Sequence, residues 1–295
     1  MLSLLIPTYN FNVVPLVLEL QKQCLEINIQ FEILCLDDAS NLFKIENEKI
    51  NSLENCNFSI NNLNVGRGKN INFLAEKSKY EWLLIMDCDT FPTQNNYIQK
   101  YISQINDVEK VIFGGIEYQK EKPATDQLLR WFYGNARESI SVEKRNTNPN
   151  GSALTSNILI QKKVFISNKF NDSITKYGYE DLVFLYDLKK KGVLVKHIDN
   201  PTYHLGLETS KQFLAKTKIA LENLKSISEN NSIYNSESKI LKVYNVLKQL
   251  YLTSFISTIF KKTERNLEHN LLSKNPSLFL FDMYKLGYYC SIASR

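Results

Sequence analysis

The sequence predicts an α/β fold built on a largely parallel sheet, and three observations carry the prediction. Short apolar runs alternate with helical patterns from residue 2 to about 116. Several of those runs end abruptly in polar or acidic residues, the pattern of strands whose carboxyl ends line a crevice. The chain has 295 residues, 43% of them hydrophobic, enough for one sizeable domain and an appendage.

The elements follow in order. "LSLLIP" (2–7) is a strand closed by Pro7, and "VVPLVLELQKQCL" (13–25) places Leu16, Val17, Leu20 and Cys24 at helical spacing. "FEILCL" (31–36) is the next strand and exits into "DDAS"; "NFSI" (57–60) is a weaker third. "GKNINFLAEKSK" (68–79) is a helix with Ile71, Leu74 and Ala75 on one face, followed by the strand "EWLLIM" (81–86). "VIFGGI" (111–116) reads as a further strand whose glycine pair implies a close backbone approach. Residues 117–151 are polar and break the rhythm, with "RNTNPNG" (145–151) the most loop-like stretch. "SNILI" (156–160) is strand-like, "GYEDLVFLYDLKKKG" (178–192) is a helix opening on two acids and ending at Gly192, and "VLVKHI" (193–198) is a last strand. After His204 the sequence turns helix-like and rich in Lys and Asn, broken near Asn275 and Pro276, which places a domain boundary at 206: 1–206 and 207–295. Within the tail, "SKILKVYNVLKQLYLTSFISTIFKK" (238–262) reads as one long helix with an apolar stripe and nearby lysines.

Composition excludes several classes. The net charge of +5 is modest and not gathered in one basic block, so a nucleic-acid partner is not indicated. The five cysteines form no CxxC pair and no ligand-like spacing with the three histidines, which argues for reduced thiols rather than a disulfide framework or a structural zinc. The N-terminus lacks the pattern of a secretory signal, so a cytoplasmic location is expected. "LYLTSFISTIF" (250–260) is too short to span a bilayer but long enough to lie on one, which leaves open a peripheral membrane contact.

The chemistry is expected at the strand exits: Pro7 to Asn10 after the first, Asp37 and Asp38 after the second, Asp87 and Asp89 around Cys88 after the fourth. In extended chain, side chains two apart point the same way, so Asp87 and Asp89 are expected to face one crevice and to hold a divalent cation against phosphate oxygens. "NNLNVGRGKN" (61–70) sets two glycines and two cations before a helix, which suits a pyrophosphate at the helix N-terminus. Each has a plainer reading: a strand-ending Asx turn, a capped turn, a solvated glycine loop. The Glu180 and Asp181 pair equally fits ordinary first-turn acids.

Taken together and in order, "IPTYN", "EILCLDDAS", "NVGRGKN", "LLIMDCDT", "SNILIQKKVF" and "GYEDLVFLYDLKKKG" resemble family 2 glycosyltransferases of the GT-A fold over about residues 2–206. The resemblance implies an enzyme that moves a sugar from a nucleotide-sugar donor to a hydroxyl of a saccharide or lipid-linked acceptor, with inversion, in polysaccharide or glycolipid assembly. It implies that Thr8, Tyr9 and Asp38 hold the base and ribose, that Arg67 lies near the base or diphosphate, and that Asp87 faces the ribose or donor sugar. Asp89 would ligate the cation, Mn²⁺ or Mg²⁺, and His204 matches a position where some relatives supply another ligand. Asp181 would be the general base and Glu180 would orient donor or acceptor. The "QxxRW" motif and the membrane spans of processive relatives are absent, so a single transfer is expected.

Two other readings compete. A nucleotidyltransferase can share such a sheet and acidic site, but it needs a Gly-rich phosphate signature after the first strand, which "PTYN" does not provide. A non-catalytic scaffold on a decayed transferase domain is disfavoured by the intact Asp89 and Asp181. "RWFY" (130–133) reads either as a sugar-stacking platform or as helix core, and His197 as a core or edge residue.

Overall fold

The computed structural model describes residues 1–174, 177–230 and 237–293; residues 231–236, part of the expected helical tail, lie outside the described residues. In chain order the first elements are β1 (Leu2–Thr8), α1 (Val14–Glu26), β2 (Phe31–Asp37), α2 (Lys44–Glu48), β3 (Cys56–Ile60), α3 (Arg67–Lys77) and β4 (Trp82–Met86). Then come β5 (Thr90–Pro92), α4 (Tyr97–Ile102), β6 (Val111–Phe113), β7 (Ile116–Glu117), α5 (Leu128–Arg137), α6 (Val142–Arg145), β8 (Asn157–Gln161) and α7 (Lys162–Ile166). The chain continues through α8 (Glu180–Lys190), β9 (Lys196–His197), β10 (Thr202–His204), α9 (Ser210–Asn230), α10 (Lys239–Gln249), α11 (Thr253–Leu271) and α12 (Leu278–Ala293). Two compact units result, one of Met1–Tyr118, Ser139–Thr175 and Asp187–Gly206, the other of Gln119–Glu138, Lys176–Tyr186 and Leu207–Arg295.

The first unit is built on a mixed, mostly parallel sheet of order β3-β2-β1-β4-β8-β6-β9, with β8 antiparallel to both its neighbours. All seven residues of β1 and all five of β4 are buried, which is why both strands read as unbroken apolar runs: helices or loops cover both faces. α1 carries Pro15 in its first turn, where the missing N–H is not needed, and buries Leu16, Val17, Leu20 and Cys24 against the sheet. A smaller sheet of order β5-β10-β7 stands beside the large one and receives the chain directly after β4 and β6.

"VIFGGI" is two strands in two sheets, not one. The chain leaves the large sheet at Gly114, where a Cβ would lie 2.2 Å from the Asn200 carbonyl oxygen and 2.5 Å from the Tyr101 hydroxyl, and Gly115 turns it at φ +107°. The expected close approach is therefore real, and it serves the crossing between sheets. Asn157 fixes that crossing: its Oδ1 accepts from the Tyr97 and Tyr101 hydroxyls (2.6 and 2.7 Å) while its Nδ2 donates to Gly115 O and Asn200 O (2.7 and 3.0 Å). All four hydrogen-bonding positions of a fully buried amide are used.

In the second unit Leu129, Leu214, Phe260, Leu271, Phe281 and Tyr284 form one core and Leu221, Leu224, Leu241 and Tyr289 another. The stretch 117–151, expected to be irregular, contains the ten-residue α5 and the short α6. Within "RWFY", Tyr133 packs on Phe213 and Phe281 (centroids 5.4 and 5.7 Å) and Arg130 pairs with Glu138 at 3.1 Å, so this much of it is helix core. The single helix expected over 238–262 is interrupted at residues 250–252, between α10 and α11. Among the described residues no helix is long and apolar enough to cross a membrane.

Candidate active site

The carboxyl ends of β1, β2 and β4 lie side by side on one edge of the large sheet, and hydrogen bonds tie the loops that leave them. The Asp38 amide donates to Thr8 O (2.8 Å) and the Asn10 amide to Ser40 Oγ (2.7 Å), while Asn10 Oδ1 accepts from the amides of Asn41 and Leu42. Asn10 takes φ 49°, a left-handed conformation that Asn tolerates better than most residues. Thr8 is buried with its hydroxyl turned back to Ile6 O (3.2 Å), and Tyr9 is half-exposed at the surface of the edge.

The two aspartates after β2 act inside the protein. Asp37 Oδ1 accepts from the Ser40 amide at 2.7 Å, a turn that ends the strand. Asp38, 4% exposed, accepts from Val65 N (2.8 Å) and Asn61 Nδ2 (3.1 Å) at Oδ1 and from Gly66 N (2.9 Å) at Oδ2. Its carboxylate thus fixes the glycine loop that opens α3, whose N-cap, Gly66, has φ 86°. The first helical residue, Arg67, donates through Nε and Nη2 to Asp87 Oδ1 (2.8 and 2.6 Å) and through Nη1 to Thr155 Oγ1 (2.9 Å).

Asp87 and Asp89 do not share one crevice by strand alternation. The chain turns at Cys88 and Asp89, with the Thr90 amide and hydroxyl both donating to Asp87 O (3.1 and 2.7 Å). Asp87 faces Arg67, whereas Asp89 Oδ2 lies 3.5 Å from Nε2 of His204, at the end of β10 opposite Thr90. Tyr118 stacks on the His204 ring (centroids 5.5 Å), and His204 Nδ1 is buried with no hydrogen-bond partner among the described residues. Leu205 N donates to Asp89 O at 2.8 Å, and a Cβ on Gly206 would lie 2.4 Å from Asp89 Oδ2. Cys88, packed against the core, has its thiol pushed well above the usual range by burial and then by the Asp89 and Asp87 charges.

The pair fits a divalent cation of the Mn²⁺ or Mg²⁺ kind. One carboxylate and one imidazole, in a cradle that a side chain at 206 would fill, leave the remaining positions to substrate phosphates and water. Among the described residues no group of three or more His, Cys, Asp and Glu side chains forms a complete protein cage.

Glu180 and Asp181 belong to the second unit and open α8, both partly buried. The preceding Gly178 (φ 95°) and Tyr179 (φ 67°) are both left-handed, and Gly178 is fastened by Asn223 Nδ2, which donates to its carbonyl at 2.5 Å. His197, by contrast, is a buried edge residue with Nε2 2.8 Å from Pro149 O. Sequence reasoning missed Asn61, Thr155, Tyr118 and Gly206. Gly206 had a signal, a glycine two residues after His204; Thr155, 88 positions from Arg67, had none.

Comparison with known proteins bears on the family and the fold. Residues 3–167 match the family model for glycosyl transferase family 2. No curated protein matches the sequence closely enough to count as a relative. Among solved structures, the mannosyltransferase PcManGT from Pyrobaculum calidifontis, in complex with GDP-Man and Mn²⁺, superposes with a TM-score of 0.59 at 10% identity, covering 99% of this chain and 85% of that one. Residues 1–349 of S. aureus TarS give 0.52 at 16% identity, covering 100% and 92%.

Proposed function

The chain belongs to glycosyl transferase family 2, and we propose that it transfers a sugar from a nucleotide-sugar donor to a saccharide or lipid-linked acceptor hydroxyl, with inversion, in glycan or glycolipid assembly. The observation that carries the proposal is the Asp89 and His204 pair over Gly206 at the carboxyl end of β4. The complex of PcManGT with GDP-Man and Mn²⁺ supports a donor and a cation of this kind.

In this reading the exposed ring of Tyr9 packs on the base, with Thr8 and the loop braced by Asp38 walling the base and ribose. Arg67 and Asp87, held to each other, present one cation and one anion to the diphosphate and the donor sugar. Asp89 and His204 would hold a divalent cation, which when bound would supply positive charge against the departing diphosphate. Asp181 takes the proton of the acceptor hydroxyl as its oxygen bonds to the anomeric carbon, and the electron pair of the broken bond leaves with the diphosphate; Glu180 orients the acceptor. A lipid-linked acceptor would bring the enzyme to the cytoplasmic face of a membrane, a reading supported by the exposed Val246, Leu250, Tyr251 and Phe255. Unchanged sedimentation in the presence of anionic vesicles would count against that contact.

The test is thermal unfolding with a panel of nucleoside diphosphates, with and without Mn²⁺, on the chain and on Asp89→Ala. We expect one nucleotide to stabilise the protein only with the metal, and the variant to lose that response. No shift with any nucleotide would sink the donor site and favour the scaffold reading.

A further inference from the structure

The imidazole of His204 lacks the support that usually aims a metal-binding ring. A ligating histidine as a rule donates its second ring N–H to a carboxylate, a carbonyl or a water, and that bond fixes both the tautomer and the direction of the ring. Here Nε2 lies 3.5 Å from Asp89 Oδ2, and Nδ1 is buried with no hydrogen-bond partner among the described residues. Orientation therefore has to come from packing.

The small sheet supplies it. β10 runs parallel to β7 with Thr202 opposite Ile116 and Tyr203 opposite Glu117, so the next step along both strands brings Tyr118 beside His204. Side chains two apart share a face, which sets Tyr118 with Ile116, Thr202 and His204 and leaves Glu117 and Tyr203 on the other side. The rings meet accordingly, with centroids 5.5 Å apart and planes 23° from parallel. Tyr118 is only 4% exposed, so it offers a fixed surface. On the opposite flank of β10, Thr90 of β5 is the partner of His204, and Asp89 immediately precedes it.

The lone pair of Nε2 lies in the plane of the imidazole. A flat neighbour at stacking distance resists tilting of that plane and leaves the ring edge clear, a constraint that an aliphatic side chain of similar volume does not impose. The stack also strengthens as the imidazole gives density to a cation, because the face of a phenol ring is electron-rich. We infer that Tyr118 is a positioning residue for the cation site of Asp89 and His204, holding the ring so that Nε2 faces the Asp89 carboxylate. The cation rests on the transferase reading proposed above; the stacked geometry does not.

The full chain is labelled with ¹³C and ¹⁵N at histidine, where His197 and His269 serve as internal controls and His204→Gln assigns the third signal. Mn²⁺ is titrated alone and then with each nucleoside diphosphate of the panel above. The readout is the Mn²⁺ concentration that halves the His204 Cε1–H signal relative to the two controls. We expect His204 to broaden first in the parent, and the halving concentration to rise about tenfold in Tyr118→Leu. It should stay within about twofold in Tyr118→Phe, which keeps the flat face. Before any metal is added, Tyr118→Leu should also lose the ring-current displacement of the His204 signal, a change that lowered global stability does not produce. If Tyr118→Leu fails to fold, as the His197 signal would reveal, Tyr118→Met fills the space without a flat face and takes its place. An unchanged halving concentration in the folded Leu or Met variant, or an equal loss in Tyr118→Phe, would overturn the positioning role and leave the cation site standing. A parent in which His204 never broadens ahead of the controls would remove the cation site of the proposed transferase, and the role of Tyr118 with it.

Discussion

The two aspartates that end β4 relieve their mutual repulsion through different partners, Asp87 through Arg67 and Asp89 through His204. That division makes Gly206 a sharp probe. In Gly206→Ala the new methyl would sit 2.4 Å from Asp89 Oδ2 and must push the carboxylate aside. The expected outcome is loss of the Mn²⁺-dependent nucleotide stabilisation while stability without ligand changes by no more than about 1 kcal/mol, read by thermal unfolding in both states. Asp38→Asn tests the loop instead. An amide placed there can accept on one side only: turned toward Asn61 and Val65 it sets its own N–H₂ against the Gly66 amide, which then keeps only its longer bond to Asn64 Oδ1 (3.2 Å). The cost is about 1–3 kcal/mol, a fall in Tm of about 2–10 °C; an unchanged Tm would show that the loop is fixed by other contacts. Both acidic pairs were legible in the sequence as strand exits, but their directions were not. Asp ends strands and makes turns with equal ease, and nothing local to Asp87 announces that the chain bends at Cys88 or that Arg67 and Thr155 will arrive from elsewhere.

Helix ends show what local chemistry does and does not announce. α1, α8 and α10 all close in the same way, with a left-handed residue after the cap and its neighbour's amide reaching back to the last turn: Asn28 with Ile29 to Cys24 O, Gly192 with Val193 to Leu188 O, Tyr251 with Leu252 to Leu247 O. Gly192 is the residue this motif prefers, so the end of α8 could be read directly. Tyr251 is not, and α10 and α11 therefore read as one helix. The substitution Tyr251→Gly follows from the mismatch. The side chain is 91% exposed at φ 59°, so removing it relieves left-handed strain while giving up little packing. Left-handed strain of about 1–2 kcal/mol, less the added entropy of a glycine, predicts a net gain of about 0.5–1 kcal/mol, measurable as a raised urea midpoint with an unchanged m-value. A lowered midpoint would mean that Tyr251 makes contacts that its exposure does not reveal. The long parallel strands were legible for the opposite reason, since burial on both faces writes an unbroken apolar run. β5, β7 and β10, two or three residues each, are too short to carry any period, and with them the small sheet that holds His204 was hidden.

At the scale of the molecule, stability should carry a pH signature from one buried imidazole. His197 is 5% exposed, with Nε2 at 2.8 Å from Pro149 O, so the neutral ring donates there, and Nδ1 is buried without a partner among the described residues. Protonation would add a second N–H with no acceptor and a charge beside the Arg145 guanidinium. Burial, the largest cause, holds the folded-state pKa below the ordinary value against the upward pull of the Pro149 carbonyl, and the neighbouring Arg145 cation adds a smaller downward push. The folded protein therefore binds fewer protons than the unfolded chain once the pH drops below the unfolded pKa of about 6.5. The contribution is fully present above that pH and is lost as pH falls toward the folded pKa. The urea midpoint should stay level from pH 8 to about 6.5 and then decline toward pH 5. Carboxylates add their own decline at lower pH, so the decisive comparison is His197→Gln, whose side-chain amide can still donate toward Pro149 O but cannot titrate. Its profile should run flatter than that of the parent between pH 6.5 and 5, and two parallel profiles would assign the decline to other groups.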